Sequence, residues 1–181
     1  MTVLSLTEAP LSWESQSPEE TLRLGEALGR SLAAGDVVAL FGELGSGKTV
    51  LVRGIAGGLG CLAEEVHSPS FTLVNEYLCP RGLGSSGQKR PGRLAHVDLY
   101  RLVSEEELPG IGWDHYLRAC YVVTVEWAER ALTWLPQDHL RIGLESLGAA
   151  RRRFQVQGTG PRSTALLRGW IETATPSLQV G

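Results

Sequence analysis

The sequence predicts an α/β fold in which a central parallel sheet is flanked by antiparallel strands, with helices on both faces. Three observations carry that expectation. A short, continuously apolar segment at 36–41 stops abruptly at a glycine-rich loop, and a helical pattern follows at once. Two further apolar runs, at 94–99 and 121–125, have the length and valine content of buried strands. The last third alternates instead: Leu140, Ile142 and Leu144 against Arg141, Gly143 and Glu145, then Phe154 and Val156 against Arg153, Gln155 and Gln157. That period of two belongs to half-buried antiparallel strands, with a turn near Gly148.

The elements follow in order. Residues 3–6 read as a short strand. Ser17, Pro18 and Glu20 form a helix start, as cap, first-turn proline and capping-box acid. Leu24, Ala27, Leu28 and Leu32 continue at helical spacing, so a helix is expected over 18–34 with Gly35 as its stop. After the strand at 36–41, a helix spans 48–59, weakened at its end by Gly54, Gly57 and Gly58. Residues 71–77 are β-prone. Residues 80–92, rich in Gly, Ser, Pro and basic residues, read as a long mobile loop. Two short helices near 104–108 and 113–118 separate the strands at 94–99 and 121–125. A terminal helix covers 162–173. No repeat or boundary interrupts the chain, so residues 1–181 are expected as a single domain that includes the hairpin and helix at about 138–173.

Composition narrows the class. The 181 residues are 43% hydrophobic and 20% charged, a globular balance. The net charge of −3 offers no domain-wide basic excess for gripping nucleic acid. The one dense basic run, Arg151, Arg152 and Arg153, is either the exposed start of a strand or a phosphate or RNA contact. Three cysteines, Cys61, Cys79 and Cys120, are far apart and form no CxxC pair. Neither a zinc site nor a disulfide framework is expected, and a reducing cytoplasm fits. The N-terminal MTVLSLTEAP lacks a basic segment followed by a long apolar one, so no signal peptide is expected. No stretch approaches the roughly 20 apolar residues of a membrane span.

The loop after the first buried strand reads GELGSGKT. Gly42, four residues, then Gly47, Lys48 and Thr49 is the spacing of a phosphate-binding P-loop (Walker A), and its strand–loop–helix setting is the context that motif requires. Main-chain amides of such a turn bind phosphate oxygens, and the helix adds its positive end. Lys48 is expected to reach the β- and γ-phosphates, and Thr49 to place its hydroxyl on Mg²⁺. Triphosphate hydrolysis also needs a carboxylate for the metal and a group that orients water. Two apolar strands end in acids, Asp98 and Glu126, at the edge where such sheets open onto their ligand. Trp127 either stacks on adenine or packs in the core. His96 shares a strand face with Asp98 and either supports it or is structural. The hydroxyls of Ser68, Ser70 and Thr72 either sense a γ-phosphate, as switch loops do, or cap a turn.

GELGSGKT, SPSFTLVNEY at 68–77, HVDLYRL at 96–102 and VEWAER at 125–130, in that order, resemble the TsaE (YjeE) family from about Ser17 to Leu144. The resemblance implies an ATPase of bacterial tRNA threonylcarbamoyladenosine synthesis. It implies ATP binding along the loop by Gly42, Glu43, Leu44, Gly45 and Ser46, and then by Gly47, Lys48, Thr49 and Val50. It adds Trp127 near the nucleotide and Ser17 near the adenine. Thr49, Glu126 and Asp98 would hold or neighbour Mg²⁺, with Lys48, Asp98 and Glu126 as the catalytic set. The implied partners are the TsaD and TsaB proteins, with tRNA reached only through them, and ATP hydrolysis would reset that complex between turnovers. Two positions depart from the family pattern: Val50 replaces a second Thr, and Ser70 a Thr. A small-metabolite kinase and a nucleotide-dependent binding module without turnover are the competing readings. The Asn-Lys-x-Asp guanine-reading motif is absent.

Overall fold

The computed structural model describes residues 10–79, 92–118 and 120–174. Its strands form one mixed sheet in the order β1-β7-β6-β2-β5-β4-β3. These are β1 (Leu11–Ser15), β2 (Val37–Phe41), β3 (Val74–Leu78), β4 (Arg93–Asp98), β5 (Tyr121–Glu126), β6 (Leu140–Ser146) and β7 (Arg152–Gly158). β6, β2, β5 and β4 pair in parallel, whereas β7, β1 and β3 add on antiparallel. The helices are α1 (Pro18–Ser31), α2 (Lys48–Leu59), α3 (Trp113–Tyr116) and α4 (Pro161–Ala174). This is the expected α/β arrangement of a P-loop-like domain.

The pleat sorts the core. Val38, Leu40, Leu94, Val122, Leu140 and Ile142 pack with Leu24, Leu28, Leu51 and Ile55 of α1 and α2, with Trp170 of α4 in the same cluster. The alternate residues Val37, Ala39, Ala95, Val97, Val123 and Val125 pack with Leu102, Leu108, Trp113 and Ala131 from the other side. Successive residues of a strand face opposite ways, so parallel strands covered on both sides must be apolar throughout. That requirement explains the unbroken runs in the sequence.

Local chemistry sets the boundaries. Ser17 Oγ accepts the Glu20 N–H at 3.2 Å, and the Glu20 carboxylate accepts the Gln16 N–H at 2.6 Å. α1 stops at Ser31, three residues short of the expectation, because Leu32 is already extended and Gly35 turns the chain at φ +91°. β3 starts at Val74, not Phe71, because Leu73 sits at φ +63° with its N–H bonded to Pro69 O at 2.6 Å. The helices between β4 and β5 are a 3-10 helix, Glu105–Ile111, with a Ser104–Glu107 capping box, and α3. The sequence missed β1, a partly exposed edge strand whose partner lies far along the chain. The strand expected at 3–6 and residues 80–91 of the expected loop lie outside the described residues.

Two expectations need correction. Gly54 and Gly58 do not merely weaken α2. A Cβ on Gly54 would lie 2.2 Å from Leu22 O and 2.9 Å from Gly25 Cα, and one on Gly58 would lie 2.2 Å from Glu26 O and 2.9 Å from Gly29 Cα. The two helices therefore meet backbone to backbone along a glycine seam, which the helical propensity of either strand of sequence does not reveal. The cysteines are the second case. Cys61, just past α2, is disulfide-bonded to Cys79, just past β3, across 18 residues of sequence. Linear spacing hid the pair because α2 and β3 end side by side. Cys120 stays free and exposed.

Helix propensity alone predicts that Gly54→Ala stabilises by about 1 kcal/mol. The seam reverses the sign: we expect a loss of about 1–3 kcal/mol from overpacking, read as a lower denaturation midpoint. Thiol titration in denaturant is expected to rise from one group to three on reduction. Reduction should also lower stability by about 3 kcal/mol, the chain-entropy value for a loop of this size.

Candidate active site

The glycine-rich loop leaves β2 and enters α2. Gly42, Gly45 and Gly47 hold φ of +138°, +77° and +100°, values that L side chains rarely adopt. At Gly42 a Cβ would also lie 2.2 Å from Leu144 O. Gly47 is the N-cap of α2 and gives it no side-chain cap, so the first-turn N–H groups stay available. Together with the helix's positive end they form a concave set of donors suited to an anion. The Lys48 ammonium is folded into this concavity. It donates to Gly42 O at 2.6 Å and Glu43 O at 2.9 Å, and lies 4.1 Å from the centroid of the Trp127 ring. Burial pushes its pKa below the usual lysine value, against the opposing pull of the Glu126, Glu129, Asp98 and Glu43 carboxylates.

The acids arrive by register. β4 and β5 run parallel with Asp98 opposite Glu126, both 3% exposed or less. Leu94, His96 and Asp98 share one face of β4; Val122, Thr124 and Glu126 share the same face of β5. Leu94 and Val122 pack in the cluster with α2, and the rows turn polar towards the first turn of that helix. Glu126 Oε1 accepts the Thr49 hydroxyl at 2.8 Å and lies 2.8 Å from His96 Nε2. His96 Nδ1 is buried without a hydrogen-bond partner. His96 therefore supports Glu126 across the strands and not Asp98 on its own strand.

Asp98 organises a second segment. One of its oxygens accepts the Ser68 hydroxyl and, at 3.0 Å, the Ser70 hydroxyl; the other accepts the Tyr100 N–H at 2.9 Å. Thr72 turns elsewhere, to Asn75 at 3.1 Å. The described non-glycine residues with left-handed backbone are Leu73, just after this segment, and Trp127, just after Glu126. Each such residue costs about 1–3 kcal/mol, and that strain gathers here.

These parts enclose a cavity of about 520 Å³. Gly45, Gly47, Lys48 and Thr49 form one side, and Ser68, Ser70, Asp98, Glu126 and Trp127 the other; Leu44 and Val50 also line it. Ser17 caps α1 and is not among the lining residues. Glu43 contributes its carbonyl, and Ser46 is buried within the loop. Sequence reasoning missed Tyr100, whose ring tilts against Trp127 at 5.0 Å, and Phe71, which carries the Arg101 guanidinium at 4.1 Å. It read Arg152 as either the exposed start of a strand or a phosphate or RNA contact, and Arg152 is the first residue of β7. Arg152 reaches Gly45 O at 3.2 Å and lines the cavity, while Arg153 pairs with Glu14 and Glu145.

A phosphate-loop turn at the end of a buried parallel strand, faced by two acids from neighbouring strands, defines a P-loop-like α/β protein. The chain belongs to the TsaE family: the model described as "Threonylcarbamoyl adenosine biosynthesis protein TsaE" matches residues 15–154. A relative from Bacillus subtilis, named tRNA threonylcarbamoyladenosine biosynthesis protein TsaE, is 35% identical over 152 residues, 84% of this chain and 88% of its own. The Treponema pallidum protein of the same name is 38% identical over 144 residues, 78% of this chain and 96% of its own. The crystal structure of Bacillus subtilis YdiB superposes with a TM-score of 0.70 at 28% identity, covering 95% of this chain and 98% of that one. The family's role lies in threonylcarbamoyladenosine biosynthesis on tRNA.

Replacing His96 by Leu removes a hydrogen-bond partner from the buried Glu126 side chain. We expect a stability loss of about 1–3 kcal/mol, the penalty for an unsatisfied buried group, measured by chemical denaturation at neutral pH. Asparagine at 98, by contrast, should chiefly loosen residues 68–73, seen as faster amide exchange confined to that segment.

Proposed function

We propose that this chain is a Mg²⁺-dependent ATPase subunit of tRNA threonylcarbamoyladenosine biosynthesis, acting with the TsaD and TsaB proteins to reset them between turnovers. The observation that carries this reading is the 2.8 Å contact between Thr49 and Glu126 at the mouth of the phosphate loop. A hydroxyl from the loop and a carboxylate from the neighbouring strand are hard oxygen donors converging on one point, beside the buried Asp98. Among the described residues no group of three or more His, Cys, Asp and Glu could cage a metal ion. That donor set fits Mg²⁺, which usually binds one or two carboxylates plus waters and substrate phosphates. When bound, the ion would neutralise charge on the β- and γ-phosphate oxygens.

The protein's own groups supply the rest. The amides of Gly45, Ser46, Gly47, Lys48 and Thr49 grip the phosphates. Lys48 exchanges its two carbonyl partners for phosphate oxygens, which bring a full negative charge to a partly desolvated ammonium. Asp98, fixed by two serine hydroxyls and the Tyr100 N–H, faces the region where water attacks a γ-phosphate. Trp127 walls the cavity beside Lys48 and limits water there. The net charge of −3 suits a subunit that reaches tRNA only through its partners. Cytoplasmic residence fits that pathway, and among the described residues no helix is long and apolar enough to cross a membrane.

Two variants test the reading. Lys48→Ala should weaken ATP affinity at least tenfold, given about 1.5–3 kcal/mol for a charge-assisted hydrogen bond. Glu126→Gln should retain nucleotide binding yet lose Mg²⁺-dependent phosphate release, measured with and without TsaD–TsaB. Phosphate transferred to an acceptor instead of released would establish a kinase. Full modification activity from the Glu126→Gln protein would establish a binding module without turnover.

A further inference from the structure

We propose that Arg152 is a nucleotide-phosphate ligand, delivered to the phosphate loop from the first position of β7. The inference rests on the ATP-binding reading above and adds a cationic residue that the P-loop motif does not contain. Its basis is topological first. β6 runs parallel to β2, with Gly143 opposite Phe41, so the carboxyl end of β6 rises beside the loop. Ser146 and Arg152 form the last antiparallel pair of the hairpin, which puts Arg152 at that same end of the sheet. The Arg152 side chain then lies directly on the loop. A Cβ built on Gly47 would lie 3.5 Å from Arg152 Nε and 3.8 Å from Cγ and Cδ, and Nη2 donates to Gly45 O at 3.2 Å. Gly45 and Gly47 bracket the concave run of donors, which places the guanidinium within one side-chain movement of any phosphate held there.

Charge gives the second argument. The cavity is lined by two buried acids, Asp98 and Glu126, against Lys48, Arg101 and Arg152, so without Arg152 its side-chain charge is balanced before a polyanion enters. A triphosphate needs further cations. Arg153, the neighbour of Arg152, has its charge matched by Glu14 and Glu145 at 3.1 and 3.3 Å. Arg152 differs: its hydrogen bonds go to the carbonyls of Gly45, Gly148 and Arg151, and among the described residues it has no carboxylate partner. Three neutral acceptors hold the planar group in place without cancelling its charge. Such a preorganised guanidinium loses little conformational freedom on meeting phosphate, which it can engage through two N–H groups at once.

Two substitutions in the full-length chain separate this role from a structural one. Arg152→Gln keeps amide donors for the carbonyls and removes the charge; Arg152→Lys keeps the charge and removes the fork. Isothermal titration with ATP and with ADP should show Arg152→Gln weakened about tenfold to a hundredfold, the range for a charge-assisted hydrogen bond. Arg152→Lys should fall between that variant and the parent, and neither should shift the melting temperature of the nucleotide-free protein. Parent-like affinity in Arg152→Gln overturns the proposal. So does equal weakening of both variants together with a lowered melting temperature, the signature of a peg between hairpin and loop. A parent protein that binds neither nucleotide overturns the ATPase reading itself, and this inference with it.

Discussion

A carboxylate taken out of water must be matched, and the Glu126 carboxylate is matched from two directions. His96 meets it across the sheet and Thr49 from the first turn of α2, each at 2.8 Å. An unmatched carboxylate at that depth would cost several kcal/mol or take up a proton. The same oxygen therefore fixes three elements relative to one another: β4, β5 and the N-terminal turn of α2. Asp98, directly opposite Glu126 on β4, binds the segment at 68–70 in the same manner. The catalytic candidates are thus also the polar joints of the fold. Their partners at rest, hydroxyls and an imidazole, are groups that a metal ion or a phosphate can displace or share.

Behind this polar layer lies the glycine seam. α1 and α2 approach so closely that a methyl group at Gly25, Gly29, Gly54 or Gly58 would meet backbone atoms at 3.0 Å or less. Close approach draws α2 onto the sheet and holds its start over the carboxyl ends of β4 and β5. The strained backbone at Leu73 and Trp127 is tolerated at the opposite side of the cavity. Tight packing in one place and unfavourable dihedrals in another fit a protein whose core over-determines its active surface.

Much of this was legible in the sequence, for identifiable reasons. The P-loop is a local motif, so GELGSGKT with its flanking strand and helix announces the turn. The parallel strands were legible because burial on both faces demands unbroken apolar runs. Asp98 and Glu126 stood out as acids ending such runs. What stayed hidden depends on contacts between distant segments. His96 sits two residues from Asp98, yet its ring reaches Glu126 on the neighbouring strand. Cys61 and Cys79 look isolated until α2 and β3 are seen to end together. Glycines inside α2 read as weak helix because the reason for them lies in α1. The edge strand β1 and the place of Arg152 follow from contacts between segments far apart in the chain, Glu14 with Arg153 and Gly45 with Arg152.

The contacts of Lys48 show how loading the site must alter it. In this arrangement the ammonium satisfies two loop carbonyls and lies on the Trp127 ring, all within the concavity that a phosphate would enter. A phosphate can reach the amides only if that ammonium swings out or turns to meet it. Either movement leaves the Gly42 and Glu43 carbonyls and the face of Trp127 without their cation. Trp127 follows Glu126 directly, in a left-handed conformation that leaves little freedom for the pair to move apart. Occupancy of the loop and the setting of Glu126 are therefore linked through one side chain and one strained peptide. A substitution as remote as Gly54 can disturb both without touching either, because it moves the helix on which Lys48 and Thr49 stand.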